Sequence, residues 1–267
     1  MYKFILKLIT FFCTILLCNF EIFAQGEIDN EAKKLVFKNE KTFAIILNTN
    51  GFGANYRYAK RLDGFRKRLY DIDFTIIKHP KEIKTQNPYF DTNQRRYVFG
   101  KINSFFNIRF GLGKQKEIYS KYDKGGLAII YFYSFGPILG LLKPIYYEVL
   151  YPVDSAPNDY IIRTEKFNTS IHRVGDIYGK APFTVGTEEI KFIPGFFTKF
   201  GFSFEYGKSD KIVHSVDVGA TIEAYTQKID IMATEENNQI LISLFVSYRF
   251  GKAVSKRLKN IKKYSTE

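Results

Sequence analysis

Gln239-Ile-Leu-Ile-Ser-Leu-Phe-Val-Ser-Tyr-Arg-Phe250 is the stretch whose reading decides the fold. Its even positions are Ile240, Ile242, Leu244, Val246, Tyr248 and Phe250, and its odd positions are Gln239, Leu241, Ser243, Phe245, Ser247 and Arg249. Side chains on a strand alternate between two faces, so one face here is wholly apolar and the other mostly polar. In a water-soluble sandwich the apolar face looks inward. In a barrel that crosses a membrane it looks outward into lipid, and the polar face lines the interior. The beginning of the chain discriminates between the two.

Residues 1–25 read as a cleaved signal peptide. Lys3 and Lys7 form the positive flank, residues 8–17 the apolar run, and Phe23-Ala-Gln25 the cleavage region. An uncleaved anchor needs a longer run than one interrupted by Asn19 and Glu21. Lipidation at Cys18 wants a small residue where Leu17 stands. Both cysteines, Cys13 and Cys18, fall in this segment, so cleavage leaves a chain without disulfides, thiolate metal sites or a cysteine nucleophile. About 240 residues remain, the size of one all-β domain. No later run is long and apolar enough for a transmembrane helix. The net charge of +13 would point to nucleic acid in a cytosolic protein. For an exported chain, acidic envelope polymers are the expected counterpart, and no nucleic acid.

Gly26–Lys41 is a polar periplasmic lead-in, and strands are expected from residue 42 onward. Residues 42–50 and 54–62 flank Gly51-Phe-Gly53, which is either a hairpin turn or a glycine kink in one long strand. Asp63-Gly64 signals the next hairpin. Residues 68–78 alternate, with Asp71 and Asp73 on the face that must avoid lipid. Residues 96–113 form another strand, 114–126 a charged turn, and 127–150 an apolar stretch interrupted at Gly136-Pro137 and Lys143-Pro144. Residues 151–188 are the longest irregular segment; alternation resumes at 189–207, 211–225 and 239–250. The predicted fold class is all-β, an antiparallel transmembrane β-barrel over 42–250 with about eight strands and at most ten. The basic residues 251–267 form a C-terminal tail. With eight strands, the loops at 79–95, 150–188 and 226–238 share one end and the shorter connections the other.

The signal, the alternating strands and the terminal Tyr248-Arg-Phe250 resemble the small outer-membrane β-barrel proteins of Gram-negative bacteria. The resemblance implies recognition of the terminal aromatic residues, Tyr248 and Phe250, by the barrel-assembly machinery. It also implies outer-membrane localisation. It names an architecture and no activity.

The interior of an eight-stranded barrel is just wide enough to be filled by side chains. Its expected charge network comprises Asp71, Asp73, Lys101, Arg109, Lys199, Glu205, Asp217, Glu223 and Arg249. Acids and bases are both present, which favours paired buried charges over a polar conduit. Lys78, Lys81, Lys84, Arg95 and Arg96 form a basic rim that would face lipopolysaccharide phosphates. Of the three histidines, His214 adjoins Ser215 on opposite strand faces, and His172 shares the long loop with Ser170 and Asp176. That loop is where a hydrolase site would have to form. The expectation is nevertheless no catalytic residue, no metal and no cofactor. The expected role is structural or binding, with recognition by the external loops, especially 150–188. Outer-membrane lipid, lipopolysaccharide and an envelope protein are the expected partners. A lipid-modifying enzyme and a small transport pore are the alternatives.

Overall fold

The computed structural model describes residues 38–89, 96–121, 126–153, 156–206 and 212–255. The signal segment, most of the lead-in, Arg95 and residues 256–267 lie outside the described residues. The described residues form thirteen strands: β1 (Lys38–Asn48), β2 (Gly51–Arg61), β3 (Arg66–Ile77), β4 (Lys84–Thr85), β5 (Tyr97–Val98), β6 (Asn103–Tyr119), β7 (Ala128–Pro144), β8 (Tyr146–Val153), β9 (Ala156–Lys166), β10 (Ile177–Lys180), β11 (Lys191–Tyr206), β12 (Ile212–Tyr225) and β13 (Ile240–Ser255). Eight of them close an antiparallel barrel in the order β1-β13-β12-β11-β7-β6-β3-β2. The remaining five form a three-stranded sheet, β10-β8-β9, and a two-stranded one, β4-β5.

The wall is inside out relative to a soluble protein. On β13, Ile242 and Leu244 are 69% and 62% exposed, whereas Ser243 and Phe245 are 3% and 2% exposed. The same alternation gives the outer surface Phe43, Ile45 and Leu47 on β1, Ile72 and Phe74 on β3, and Phe196, Phe200 and Phe202 on β11. An exposed apolar surface that circles the whole barrel is far larger than the patches a soluble monomer tolerates.

Several predicted boundaries move. The first hairpin turns at Thr49-Asn50, not at Gly51-Phe-Gly53. Both glycines belong to β2, where the neighbouring chain comes close: a Cβ on Gly53 would lie 2.2 Å from the Phe74 carbonyl oxygen. Lys38–Lys41, read as lead-in, form the start of β1 and pair with Lys252–Ser255. β13 therefore runs five residues beyond Phe250, into what reads as tail. β6 starts later than expected and continues through Lys114 and Lys116, which face outward at the barrel end beside Arg68 and Arg66. There the strand has left the apolar belt, so charge costs little.

β7 is unbroken across Gly136-Pro137. Proline lacks one N–H, and the effect is confined to one side. The β6–β7 ladder skips from Arg109↔Ile138 to Leu112↔Phe135, while Pro137 stays in register with Phe196 on β11. The segment 151–188, expected to be irregular, contains the end of β8 and all of β9 and β10, which pair as the β10-β8-β9 sheet. Tyr147, Val149 and Ile177 alternate onto one face and pack with Tyr97, Ile145 and Phe167. This second core lies among the loops; the first lies within the mouth of the barrel, where Phe105, Ile138, Phe197 and Tyr225 meet Ile229, Ile231 and Met232 from the 226–239 loop.

Candidate functional site

The inward rows of β2, β3, β6, β11, β12 and β13 converge on one set of buried charges. β3 contributes Asp71 and Asp73, two residues apart and so on one face. Arg57 on β2 grips Asp71 with two bonds, Nε to Oδ1 at 2.6 Å and NH2 to Oδ2 at 3.2 Å. Asp73 Oδ2 takes Lys199 Nζ at 3.0 Å and Arg109 NH1 at 3.3 Å, and its Oδ1 accepts from Asn55. Arg109 NH2 also lies 2.6 Å from Glu223 Oε1. Asp217 accepts from Arg249 Nε at 2.9 Å and from Ser215 Oγ at 3.0 Å, with Arg57 NH1 at 3.8 Å. Thr42 Oγ1 accepts from Arg249 NH1 at 3.0 Å, which ties the first strand to the last.

The eight groups balance: Arg57, Arg109, Lys199 and Arg249 against Asp71, Asp73, Asp217 and Glu223, all buried. Balance matters because a buried charge deprived of its partner is strongly destabilising. Three of the cations also lie over aromatic rings. Arg57 sits 4.6 Å from the Phe132 centroid, Lys199 5.0 Å from Phe245 and Arg109 5.9 Å from Phe197. Toward the loops, Tyr225 OH donates to Glu223 Oε2 at 2.7 Å, and Asn107 Nδ2 reaches both atoms at 3.1 Å. Above them begins the apolar cluster of the mouth.

The structure thus brings together seven of the nine residues expected inside. Lys101 is not one of them. It precedes β6, forms a lone bridge to Met232 and places its Nζ 2.6 Å from Glu82. Glu205 is at the opposite end of β11, half-buried and paired with Lys121 at 2.9 Å. Arg57, Asn55 and the buried Lys67, which pairs with Glu40, were missed by sequence reading. The signal for them was present: with the turn at Thr49-Asn50, Asn55 and Arg57 alternate with Tyr56 and Tyr58.

Of the basic rim, Lys78, Lys81, Lys84 and Arg96 are exposed at the loop end. Lys81 is paired with Glu235, and Lys78 lies over the Phe52 ring at 5.6 Å. Tyr248 and Phe250 face outward at the other end in an aromatic row with Phe43, His214 and Tyr206. His214 Nδ1 lies 3.0 Å from Tyr248 OH, while Ser215 points inward to Asp217, so these neighbours do not meet.

In the long loop, His172 is buried, and its Nδ1 accepts from the Asn168 N–H at 3.1 Å. Ser170 is exposed and is held by its backbone N–H, and Asp176 accepts from the Arg173 N–H. No hydrogen bond joins Ser170, His172 and Asp176. Among the described residues no three His, Cys, Asp or Glu side chains gather as metal ligands would.

These features define a closed eight-stranded antiparallel barrel with an apolar wall, a charge-paired interior and its long loops at one end. Among solved structures, it is similar to the crystal structure of Neisserial surface protein A, with a TM-score of 0.38 and 8% identity over 81% of this chain and 96% of that one. No protein-family model matches the chain, and no curated protein matches it in sequence.

Proposed function

We propose that this chain is an integral outer-membrane protein whose barrel is an anchor and whose external loops form an ordered recognition platform. The observation that carries the reading is the inverted wall, apolar outside and charge-balanced inside. Such a surface is stable in lipid, where a closed barrel pairs its backbone hydrogen-bonding groups between neighbouring strands. The loops 78–102, 145–190 and 226–239 share one end and would face outward. The platform has a core of its own, the cluster around Tyr97, Tyr147 and Ile177. Tyr248 and Phe250 would serve the assembly machinery from the periplasmic end.

A transport pore is disfavoured by the side chains that fill the interior, from Arg57 and Asp217 to the Phe197–Met232 cluster. The test is membrane fractionation followed by gels of boiled and unboiled samples. Recovery in the outer membrane, resistance to carbonate washing and a heat-dependent mobility shift are expected. Release into the soluble fraction without a shift would overturn the reading.

A further inference from the structure

Four lysines gather where the loop platform meets the barrel mouth, outside the interior network. Their backbones are tied together through Tyr147. Its hydroxyl lies between the Val98 carbonyl oxygen at 2.8 Å and the Lys101 carbonyl oxygen at 2.6 Å, which share its one proton. Val98 is the cross-strand partner of Lys84, and Lys180 is the cross-strand partner of Tyr147 itself. Ala181 N donates to the Tyr146 carbonyl at 3.0 Å, which brings Lys180 alongside the end of β7, where Lys143 lies.

The cluster is short of carboxylates. Glu82 is the acid among these side chains, and both its oxygens are engaged. Oε2 is 2.6 Å from Lys101 Nζ, and Oε1 accepts from the His79 N–H at 2.9 Å. Lys143 is only 4% exposed, and among the described residues its Nζ meets the Val185 carbonyl at 2.8 Å and the Pro144 carbonyl at 3.4 Å, with the Phe183 ring at 4.6 Å. Lys180 is therefore within reach of three other lysine charges and of one carboxylate, whose two oxygens are each already engaged. Burial pushes the Lys180 amine below the usual lysine range, and the charges of Lys101, Lys143 and Lys84 add to the effect. A buried cation without a counter-charge is costly. A phosphoryl group, with several anionic acceptor oxygens, is the ligand that would relieve this arrangement.

We infer that Lys84, Lys101, Lys143 and Lys180 form a binding site for a phosphoryl group, such as an anionic lipid headgroup or free phosphate presents. Only the lipid source rests on the outer-membrane reading; phosphoryl recognition does not. The site differs from the basic rim expected from sequence, because three of its lysines lie outside that set and two are buried or nearly so.

Inorganic pyrophosphate titrated into the full chain in neutral detergent is the first arm of the test. Phosphatidylcholine vesicles with and without a diphosphorylated glucosamine lipid are the second. The readout is the melting temperature and the Kd derived from it. A rise with pyrophosphate supports phosphoryl recognition, and a rise confined to the vesicles supports it with the headgroup as the source. Lys143→Met and Lys180→Met should each weaken binding roughly tenfold or more. Without ligand, Lys180→Met should melt no lower than the parent, because it removes like-charge repulsion; a purely structural lysine would give a lower melting temperature and an unchanged ligand response. No rise with either probe, or an undiminished rise in both variants, would overturn the inference. The mobility shift of the parent chain separately reports whether the barrel reading stands.

Discussion

Lys199 Nζ lies 3.0 Å from Asp73 Oδ2, and the two residues are three strands apart around the barrel, on β11 and β3. The same carboxylate also holds Arg109 and Asn55. Asp73 is therefore a cross-brace between two walls that share no ladder. Asp73→Asn keeps the shape and removes the charge, leaving Lys199 and part of Arg109 uncompensated in a dry interior. Breaking a buried pair in this way costs about 3–5 kcal/mol. Adding Lys199→Met should recover part of the loss, since removing both partners is far cheaper than removing one. The chain has no tryptophan, so urea titration in vesicles is best followed by gel mobility or tyrosine circular dichroism. A double variant no more stable than Asp73→Asn alone would show that the two residues are not coupled.

Leu244 is 62% exposed near the middle of the apolar run Ile240–Phe250. If lipid covers that surface, Leu244→Arg buries a cation in the bilayer and should cost about 2–4 kcal/mol in vesicles. In water, an arginine at so exposed a position would be nearly neutral, within about 0.5 kcal/mol. The substitution thus asks which solvent surrounds the wall. A barrel that refolds equally well in vesicles with Arg at this position would count against a membrane-facing β13.

Tyr97 OH donates to the Val174 carbonyl at 2.7 Å and joins the β4-β5 pair to the platform. Burial, assisted by the charge of Asp176, pushes its hydroxyl up to about 12. The folded value lies above the ordinary tyrosine value, so its contribution is complete below about pH 10. It is then lost as pH rises through about 12. Platform order, followed by near-ultraviolet circular dichroism, should decline in that window. Tyr97→Phe lacks both the hydrogen bond and the titration; it should start weaker by about 1 kcal/mol and lose this step. Persistence of the step in Tyr97→Phe would assign it to another tyrosine.

How much of this was legible in the sequence depends on which face a residue occupies. Period-two alternation sorted β3, β11, β12 and β13 correctly, because a one-residue slip would have turned Asp71, Asp73 or Asp217 onto the apolar outer face. Lys101 was misassigned because the alternation around it belongs to a loop; β6 starts only at Asn103. Arg57 was missed because the glycines at 51 and 53 look like a turn, whereas they serve close approach to β3. The platform was least legible. Its core draws Tyr97 from one loop and Tyr147 and Ile177 from another, a non-local association that no local period records. The lysine cluster is hidden for the same reason: Lys84, Lys101, Lys143 and Lys180 are spread over almost a hundred residues.

The continuation of β13 past Phe250 makes the barrel seam longer than the aromatic terminus implies. Gly251–Ser255 pairs with Lys38–Thr42 on β1, and Gly251 and Lys252 also pair with Val213 and Ile212 on β12. A chain ending at Phe250 keeps the aromatic signal but strips five ladder positions from β1, leaving Lys38–Thr42 as a frayed edge. Each net backbone hydrogen bond is worth about 1 kcal/mol, so the seam should lose on the order of 2–5 kcal/mol relative to a chain ending at Ser255. The midpoint temperature at which the fast-migrating folded band converts to the unfolded one reads this directly. On the proposed outer-membrane reading the shorter chain should still insert, because it retains Tyr248 and Phe250, but it should convert at a lower temperature. Equal midpoints would mean that the last five positions of β13 do not hold the seam, and that closure relies on Phe43↔Phe250 to Asn48↔Phe245 together with the Arg249–Thr42 bond.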